Sequence, residues 1–314
     1  MMTRVCGTRT LLAAGVFMCV AVLARDASAV FNNTPFLDQY GQPLIAKSQT
    51  AGDATIFRTQ SDACAYFAYI RVDSSLGIIV DCNVGGGTNL RYYSLAGPAK
   101  LGPALVSVSG TLYLFWIKST NGHQMVQESS DGFNWTAAMD LDPSDSPSYV
   151  APPAGVAWDG NAIVWVGQPS IFQFNVAGSW FGEYHPFVES TYSRPSATLW
   201  QGALWLAWVD ANNGNQVGVS HWTDSTGWYG ESLSGMHGVA SIYPDEEGAL
   251  EMVFRGSDSH IYRTYSGDGA EWTPPIEDTA STTNHQPVQF DHYSWTQNWV
   301  FYIGIDNELF TVIE

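Results

Sequence analysis

The sequence predicts an all-β fold: a six-bladed β-propeller of four-stranded antiparallel blades, closed by an N-terminal strand. Three observations predict it. A strand phrase recurs at blade-length intervals, prolines keep the same phase as the phrase, and the last copy lacks an outer strand while an unassigned segment stands at the other end.

The phrase is a turn glycine followed by an apolar and aromatic strand. It reads Gly110-Thr-Leu-Tyr-Leu-Phe-Trp116, Gly160-Asn-Ala-Ile-Val-Trp165, Gly202-Ala-Leu-Trp-Leu-Ala-Trp208 and Gly248-Ala-Leu-Glu-Met-Val-Phe254, at spacings of 50, 42 and 46 residues. Degenerate copies lie one period outward, Asp62-Ala-Cys-Ala-Tyr-Phe-Ala-Tyr69 and Gln297-Asn-Trp-Val-Phe-Tyr-Ile303, which makes six. Such β-branched and aromatic runs behind a glycine are strands leaving a tight turn. No segment has convincing helical periodicity, so α/β alternatives fail.

The prolines come next. Pro103, Pro153 and Pro195 each stand seven residues before their glycine, and Pro287 takes the matching place in the last copy. Proline is tolerated at the first position of a strand because its missing N–H is not needed there. Third strands are expected from Gln124, Ile171, Gln216 and His260. Each runs into a turn ending at Trp135, Trp180, Trp228 or Trp272, and each tryptophan is expected to open a fourth, outer strand.

The last copy ends at Glu314 after its third strand, and Phe31 to Lys47 belong to no copy. Ring closure accounts for both, with the N-terminal segment supplying the outer strand of the sixth blade and removing an exposed edge.

Residues 1–29 read as a secretory signal peptide, leaving 30–314 as one propeller domain. Arg4 and Arg9 precede an apolar run from Leu11 to Leu23, and Ala27-Ser28-Ala29 supplies a small-residue cleavage site. The alternative, a retained membrane anchor, is disfavoured because the run falls short of the ~20 residues that span a bilayer. The expected localisation is therefore secreted, extracellular or periplasmic. Cleavage removes Arg4, Arg9, Arg25 and Asp26, leaving 9 basic and 29 acidic residues and a net charge of −20. That surface repels phosphate backbones, so nucleic acid is not expected as a partner, and no later segment is long and apolar enough for membrane insertion. Two cysteines remain, Cys64 and Cys82, nearly symmetric about a turn at Asp73-Ser74-Ser75. A hairpin there brings them face to face, so a disulfide is expected over two free thiols.

Two turns carry a resemblance. Ser129-Ser-Asp131-Gly-Phe-Asn-Trp135 and Ser266-Gly-Asp268-Gly-Ala-Glu-Trp272 resemble the Asp-box of sialidases and related bacterial propellers, in the form lacking one residue before the glycine. Asp224 to Trp228 and Ala177 to Trp180 are eroded versions. The resemblance implies a structural role: Asp131 and Asp268 tie their turns, and Trp135 and Trp272 pack between sheets, away from the site. Sialidase activity in that family also needs three arginines clamping a carboxylate, a Tyr nucleophile with its Glu, and an Asp acid/base. Here the chain departs from the pattern. Ser193-Arg194-Pro195 lacks the residue between arginine and proline, and Phe57-Arg58-Thr59-Gln60 has no proline. Leu90-Arg91-Tyr92-Tyr93 and Ile261-Tyr262-Arg263-Thr264-Tyr265 also resemble the arginine strand of fucose-binding propeller lectins, but the other blades lack that arginine.

No catalytic or cofactor motif is present, and no metal is expected. Asp140-Leu-Asp142-Pro-Ser-Asp145 has spaced carboxylates without the glycine and closing glutamate of a calcium loop. The upper face of a propeller is built from connections entering inner strands and those joining second to third strands. Arg71, Arg194, Asp210, His237, Arg255, Asp258 and His260 fall there, and Arg194 is expected at the mouth of the central channel. Planar polar groups among aromatics suit glycan hydroxyls. Three functions stay open: a non-catalytic carbohydrate-binding, lectin-like module, with a glycan or glycoconjugate as partner; a sialidase-like glycoside hydrolase or other glycan-cleaving enzyme; and an extracellular protein-interaction scaffold.

Overall fold

The computed structural model describes residues 32–38, 40–47, 50, 52–58, 63–82, 90–95, 97–141, 149, 151–158, 160–167, 171–176, 181–184, 193–210, 214–223, 227–245, 248–291 and 298–313. The signal-peptide reading of 1–29 and the turn ending at Trp180 lie outside them, as does Asp224.

Strand β1 (Asn32–Pro35) opens the chain. Blade 1 is β2 (Asp53–Arg58), β3 (Ala63–Ile70), β4 (Leu76–Asp81) and β5 (Arg91–Leu95). Blade 2 is β6 (Ala99–Val108), β7 (Thr111–Lys118), β8 (Gln124–Ser129) and β9 (Met139–Asp140). Blade 3 is β10 (Ala154–Trp158), β11 (Asn161–Gly167), β12 (Ile171–Val176) and β13 (Phe181–Tyr184). Blade 4 is β14 (Ser196–Trp200), β15 (Ala203–Asp210), β16 (Gln216–Thr223) and β17 (Gly227–His237). Blade 5 is β18 (Ala240–Pro244), β19 (Leu250–Arg255), β20 (His260–Ser266) and β21 (Ile276–Thr282). Blade 6 is β22 (Val288–Asp291), β23 (Asn298–Ile303) and β24 (Leu309–Ile313), completed by β1.

These are six four-stranded antiparallel sheets, as expected. The inner strands touch in the cyclic order β2, β6, β10, β14, β18, β22 and back to β2, so the blades close a ring. Closure runs through β1, which pairs antiparallel with β24 from Asn32↔Ile313 to Pro35↔Phe310. Phe36 follows, buried against Phe67 of blade 1 and Phe301 of blade 6.

The near-continuous apolar phrases have a physical cause. Each second strand is covered on both faces, so both side-chain parities must be apolar. On β3, Cys64, Tyr66, Ala68 and Ile70 pack toward blade 2, while Ala65, Phe67 and Tyr69 pack toward blade 6. On β15, Trp205 and Ala207 face blade 5, and Leu204, Leu206 and Trp208 face blade 3. The core is thus six wedges, one per blade interface. Cys64 and Cys82 form a disulfide between adjacent strands of blade 1, one residue beyond the pair Ala65↔Asp81.

Outer strands differ from expectation in blades 2 and 5. Trp135 and Trp272 do not open them. They remain in the turns, and β9 and β21 begin four residues later. The intervening threonines complete the turns instead. Thr136 and Thr273 donate backbone N–H to Glu128 O and Tyr265 O at 2.9 Å each, and their hydroxyls accept the Glu128 and Tyr265 N–H at 3.1 and 3.0 Å. After Thr273, Pro274 and Pro275 bring no N–H with which to extend the ladder.

Candidate functional site

The scaffold turns are defined first, since they remove residues from the search. The Asp131 Oδ1 accepts the N–H groups of Phe133 and Asn134 at 2.8 and 2.7 Å, and the Ser129 hydroxyl accepts Gly132 N–H at 2.8 Å. Asp268 repeats the pattern with Ala270 and Glu271, both at 2.9 Å, and Ser266 with Gly269 at 2.8 Å. These backbone bonds hold both carboxyls below the usual aspartate range, Asn134 acting first on Asp131 and Glu271 on Asp268. Trp135 packs against the wedge between blades 1 and 2, Trp272 against that between blades 4 and 5.

The central channel corrects one expectation. Arg194 stands at the upper end of the channel but is buried there and not presented at its mouth. Its side chain is 7% exposed, its Nη2 lies 2.6 Å from Asp53 Oδ1, and its Nη1 donates to Gly52 O at 2.6 Å. Blades 1 and 4 are opposite in the ring, so this ion pair crosses the channel. An uncompensated guanidinium is costly to bury, and Asp53, which the sequence reading missed, supplies the counter-charge. Burial pushes the Asp53 carboxyl up, against the pull of Arg194 and of the Leu105 N–H on its Oδ2 at 2.6 Å. The same inner-strand position clasps the next blade elsewhere. Ser196 Oγ accepts Ile242 N–H at 3.0 Å, and Ser241 Oγ accepts Gln289 N–H at 3.2 Å. Inside the ring lies a cavity of about 530 Å³, lined by residues of all six inner strands, with Asp53, Arg194 and Gln286 toward the upper end and Arg58, Gly110 and Leu199 toward the lower.

The upper rim is built on a repeated turn. The side-chain oxygens of Asp73, Asn121, Asp258 and Asp306 accept N–H two residues on, from Ser75 (2.9 Å), His123 (3.2 Å), His260 (3.1 Å) and Glu308 (3.0 Å). The residue between takes positive φ: Ser74, Gly122, Ser259 and Asn307, between 66° and 73°. The residue after it opens or immediately precedes a third strand, and in blades 1, 2 and 5 it looks across to the outer one. In blade 1, Ser75 Oγ lies 3.3 Å from Ser94 Oγ. In blade 2, His123 Nδ1 lies 2.8 Å from Asp140 Oδ2. In blade 5, His260 Nδ1 lies 3.1 Å from Glu277 Oε1 and 3.3 Å from Asp258 Oδ2.

Blade 5 carries the richest version. Tyr262 donates its hydroxyl to Asp258 Oδ2 at 2.6 Å, which lowers the Asp258 carboxyl and pushes Tyr262 up to about 12. The Tyr262 ring stacks on Phe254, with centroids 5.6 Å apart. Asp258, His260 and Glu277 each offer one ligand atom within 4.8 Å of the others, a grouping that a divalent cation would fit. Glu277 was missed in sequence; it lies opposite Tyr262 in the ladder, a register visible only once β20 and β21 are paired.

The remaining expected residues are scattered over the same face. Arg255 donates Nη1 to Asn284 O at 2.8 Å, fastening the Asp258 turn to the connection that enters β22. His285 in that connection is pushed down by burial and by the Arg255 charge. His237 is exposed, with Nδ1 at 3.2 Å from Gly214 O. Arg71 is exposed near Asp73, and Asp210 is buried at the end of β15. Only Arg255, Asp258 and His260 come together, in one turn.

The arginines suggested by resemblance are dispersed. Arg263 is buried with Nη1 3.9 Å from Glu251 Oε1, and Gln289 Nε2 donates to the other oxygen of that glutamate. Arg91 lies over the Phe133 ring at 5.3 Å. Among the described residues no three arginines converge as a carboxylate clamp would require.

No helix among the described residues is long and apolar enough to cross a membrane. No protein-family model and no curated protein matches the sequence. Solved structures do match. A fungal lectin from Aleuria aurantia, described as a six-bladed β-propeller with a novel mode of fucose recognition, aligns at TM-score 0.66 and 16% identity, over 85% of this chain and 92% of that one. A protein of unknown function from Dyadobacter fermentans aligns at TM-score 0.62 and 10% identity, over 90% of this chain and 99% of that one. A Trypanosoma rangeli sialidase aligns at TM-score 0.58 and 13% identity, over 90% of this chain but 57% of the sialidase. At such identities the likeness is one of architecture: the chain is an all-β propeller of four-stranded antiparallel blades.

Proposed function

We propose that this is a secreted, non-catalytic propeller that binds carbohydrate through the upper rim of its blades. The observation that carries the reading is the imidazole–carboxylate pair repeated at one register position, His123–Asp140 in blade 2 and His260–Glu277 in blade 5, with Asp258 and Tyr262 added in the latter. Carboxylates accept from vicinal hydroxyls, imidazole donates or accepts, and a repeated rim site suits multivalent capture of a branched glycan. The fold neighbours support the class of ligand, since one is a fucose-recognising lectin and another a sialidase. Absence of sialidase-type turnover is supported by the buried pairing of Arg194 with Asp53 and of Arg263 with Glu251, which occupies guanidiniums that a substrate carboxylate would need. In this reading the turns at Asp131 and Asp268 are Asp-boxes serving the scaffold.

The test is a glycan array that includes fucosides, run beside a panel of chromogenic glycosides. Binding without turnover is expected. His260→Ala and Asp258→Asn should each weaken array binding at least tenfold, and Asp258→Asn, which keeps an acceptor for the His260 N–H, should cost less stability in urea unfolding than Asp258→Ala. Turnover of any glycoside would make the protein an enzyme, and silence on both panels would leave the protein-interaction reading.

A further inference from the structure

The channel is a second place of interest, separate from the rim. Its upper end is shut. Asp53, Arg194 and Gln286 are 4%, 7% and 5% exposed, and the ion pair runs from blade to opposite blade. Its lower end is open, where Arg58, Ser109, Gly110 and Leu199 are exposed. The channel is therefore a blind polar funnel, and its 530 Å³ lies within the roughly 300–1,000 Å³ of small-molecule sites.

Its inner end holds polar atoms without partners. Arg194 Nε, Gln286 Oε1 and Gln289 Oε1 are buried and make no hydrogen bond, although the rest of each side chain is engaged. All three residues line the cavity. Buried donors and acceptors are almost always satisfied, so three orphans around one cavity describe an occupant that offers acceptors and donors in return. Charge narrows the choice. Among the described residues the charged lining side chains are Asp53, Arg58 and Arg194; the first and last cancel at the closed end, and Arg58 stands at the open one. An anion would also approach against the chain's large negative charge. The remaining wall alternates hydroxyls (Thr55, Ser107, Thr198) with apolar patches (Ile56, Val156, Leu199).

We propose that the channel is a binding site, opening on the lower face, for a neutral hydroxyl-rich small molecule of mono- to disaccharide size. Its hydroxyls pair with the polar side chains of the wall, Gln286 and Gln289 turning their amides toward it, and its C–H faces lie on the apolar patches. This goes beyond the rim reading and does not depend on it.

Isothermal titration with neutral sugars (galactose, fucose, lactose, maltose) and acidic ones (glucuronate, N-acetylneuraminate) tests it. At least one neutral sugar should bind at one site per chain, more tightly than either acid. Leu199→Trp fills the exposed lower mouth without touching the core and should abolish that binding while glycan-array binding at the rim persists. Gln286→Leu should weaken it at least tenfold. No titratable binding by any neutral sugar, binding that survives Leu199→Trp, or preference for the acids overturns the channel site and leaves the rim reading standing.

Discussion

At Gly132 and Gly269 a hydrogen atom is the only side chain the structure admits. Both have φ near +78°, and an added Cβ would lie 1.9 Å from the Tyr66 hydroxyl or 2.0 Å from the Trp205 ring. Each turn thus presses its glycine onto the preceding blade. Gly132→Ala and Gly269→Ala should lower stability more than Asp131→Ala and Asp268→Ala, because they add a clash to backbone strain. Each aspartate change should itself cost about 1.5–3 kcal/mol, the value of hydrogen bonds to a charged group, in urea unfolding at pH 7. The pH dependence has a definite sign. Both carboxyls titrate lower folded than unfolded, so their stabilisation is complete above the unfolded value of about 3.9 and is lost as pH falls through the folded one. The gap between parent and either variant should therefore narrow in melts taken below about pH 4. A gap that stays constant would show that these carboxylates are not held by the turn.

At the scale of single elements, closure and cross-linking are separable. Removing β1 exposes the N–H and C=O groups of β24, so a chain starting at Leu37 should melt earlier and associate through that edge, as light scattering would show. Cys64→Ala with Cys82→Ala should cost about 3 kcal/mol in the chain-entropy account of a loop this size. Strands were the most legible part of the sequence, because burial on both faces writes itself as an apolar run with a glycine in front. The outer strands were less so. Trp135-Thr136 and Trp272-Thr273 read as strand starts, yet threonine hydroxyls there replace ladder bonds, and the two pairs of β9 and the bulged four of β21 are too few to leave a periodicity to detect.

For the molecule as a whole, the pair Arg194–Asp53 is a strut between opposite blades. Arg194→Met should cost about 3–5 kcal/mol by leaving a buried carboxylate alone, whereas Arg194→Met with Asp53→Asn should recover most of it. Equal losses in the single and double variants, by urea unfolding, would show that the strut acts through packing and not charge. This strut also marks the limit of sequence reading. Position in the repeat put Arg194 at the upper end of an inner strand correctly, but its partners stand across the ring, with Gly52 142 residues away. His260 and Asp258 were legible because one turn holds both; Glu277, on another strand, was not. The shared blade of β1 and β24 has a further consequence, for the order of events in synthesis. Asn32 leaves the ribosome long before its partner Ile313 exists, so the ring cannot be complete on a nascent chain. Until blade 6 arrives, blade 1 has no wedge on that side, and Phe36 and Phe67 lack Phe301, Ile303 and Leu309 to bury them. A chain built this way can stack its first five blades as they are made, but it seals its ring only once β24 has joined β1.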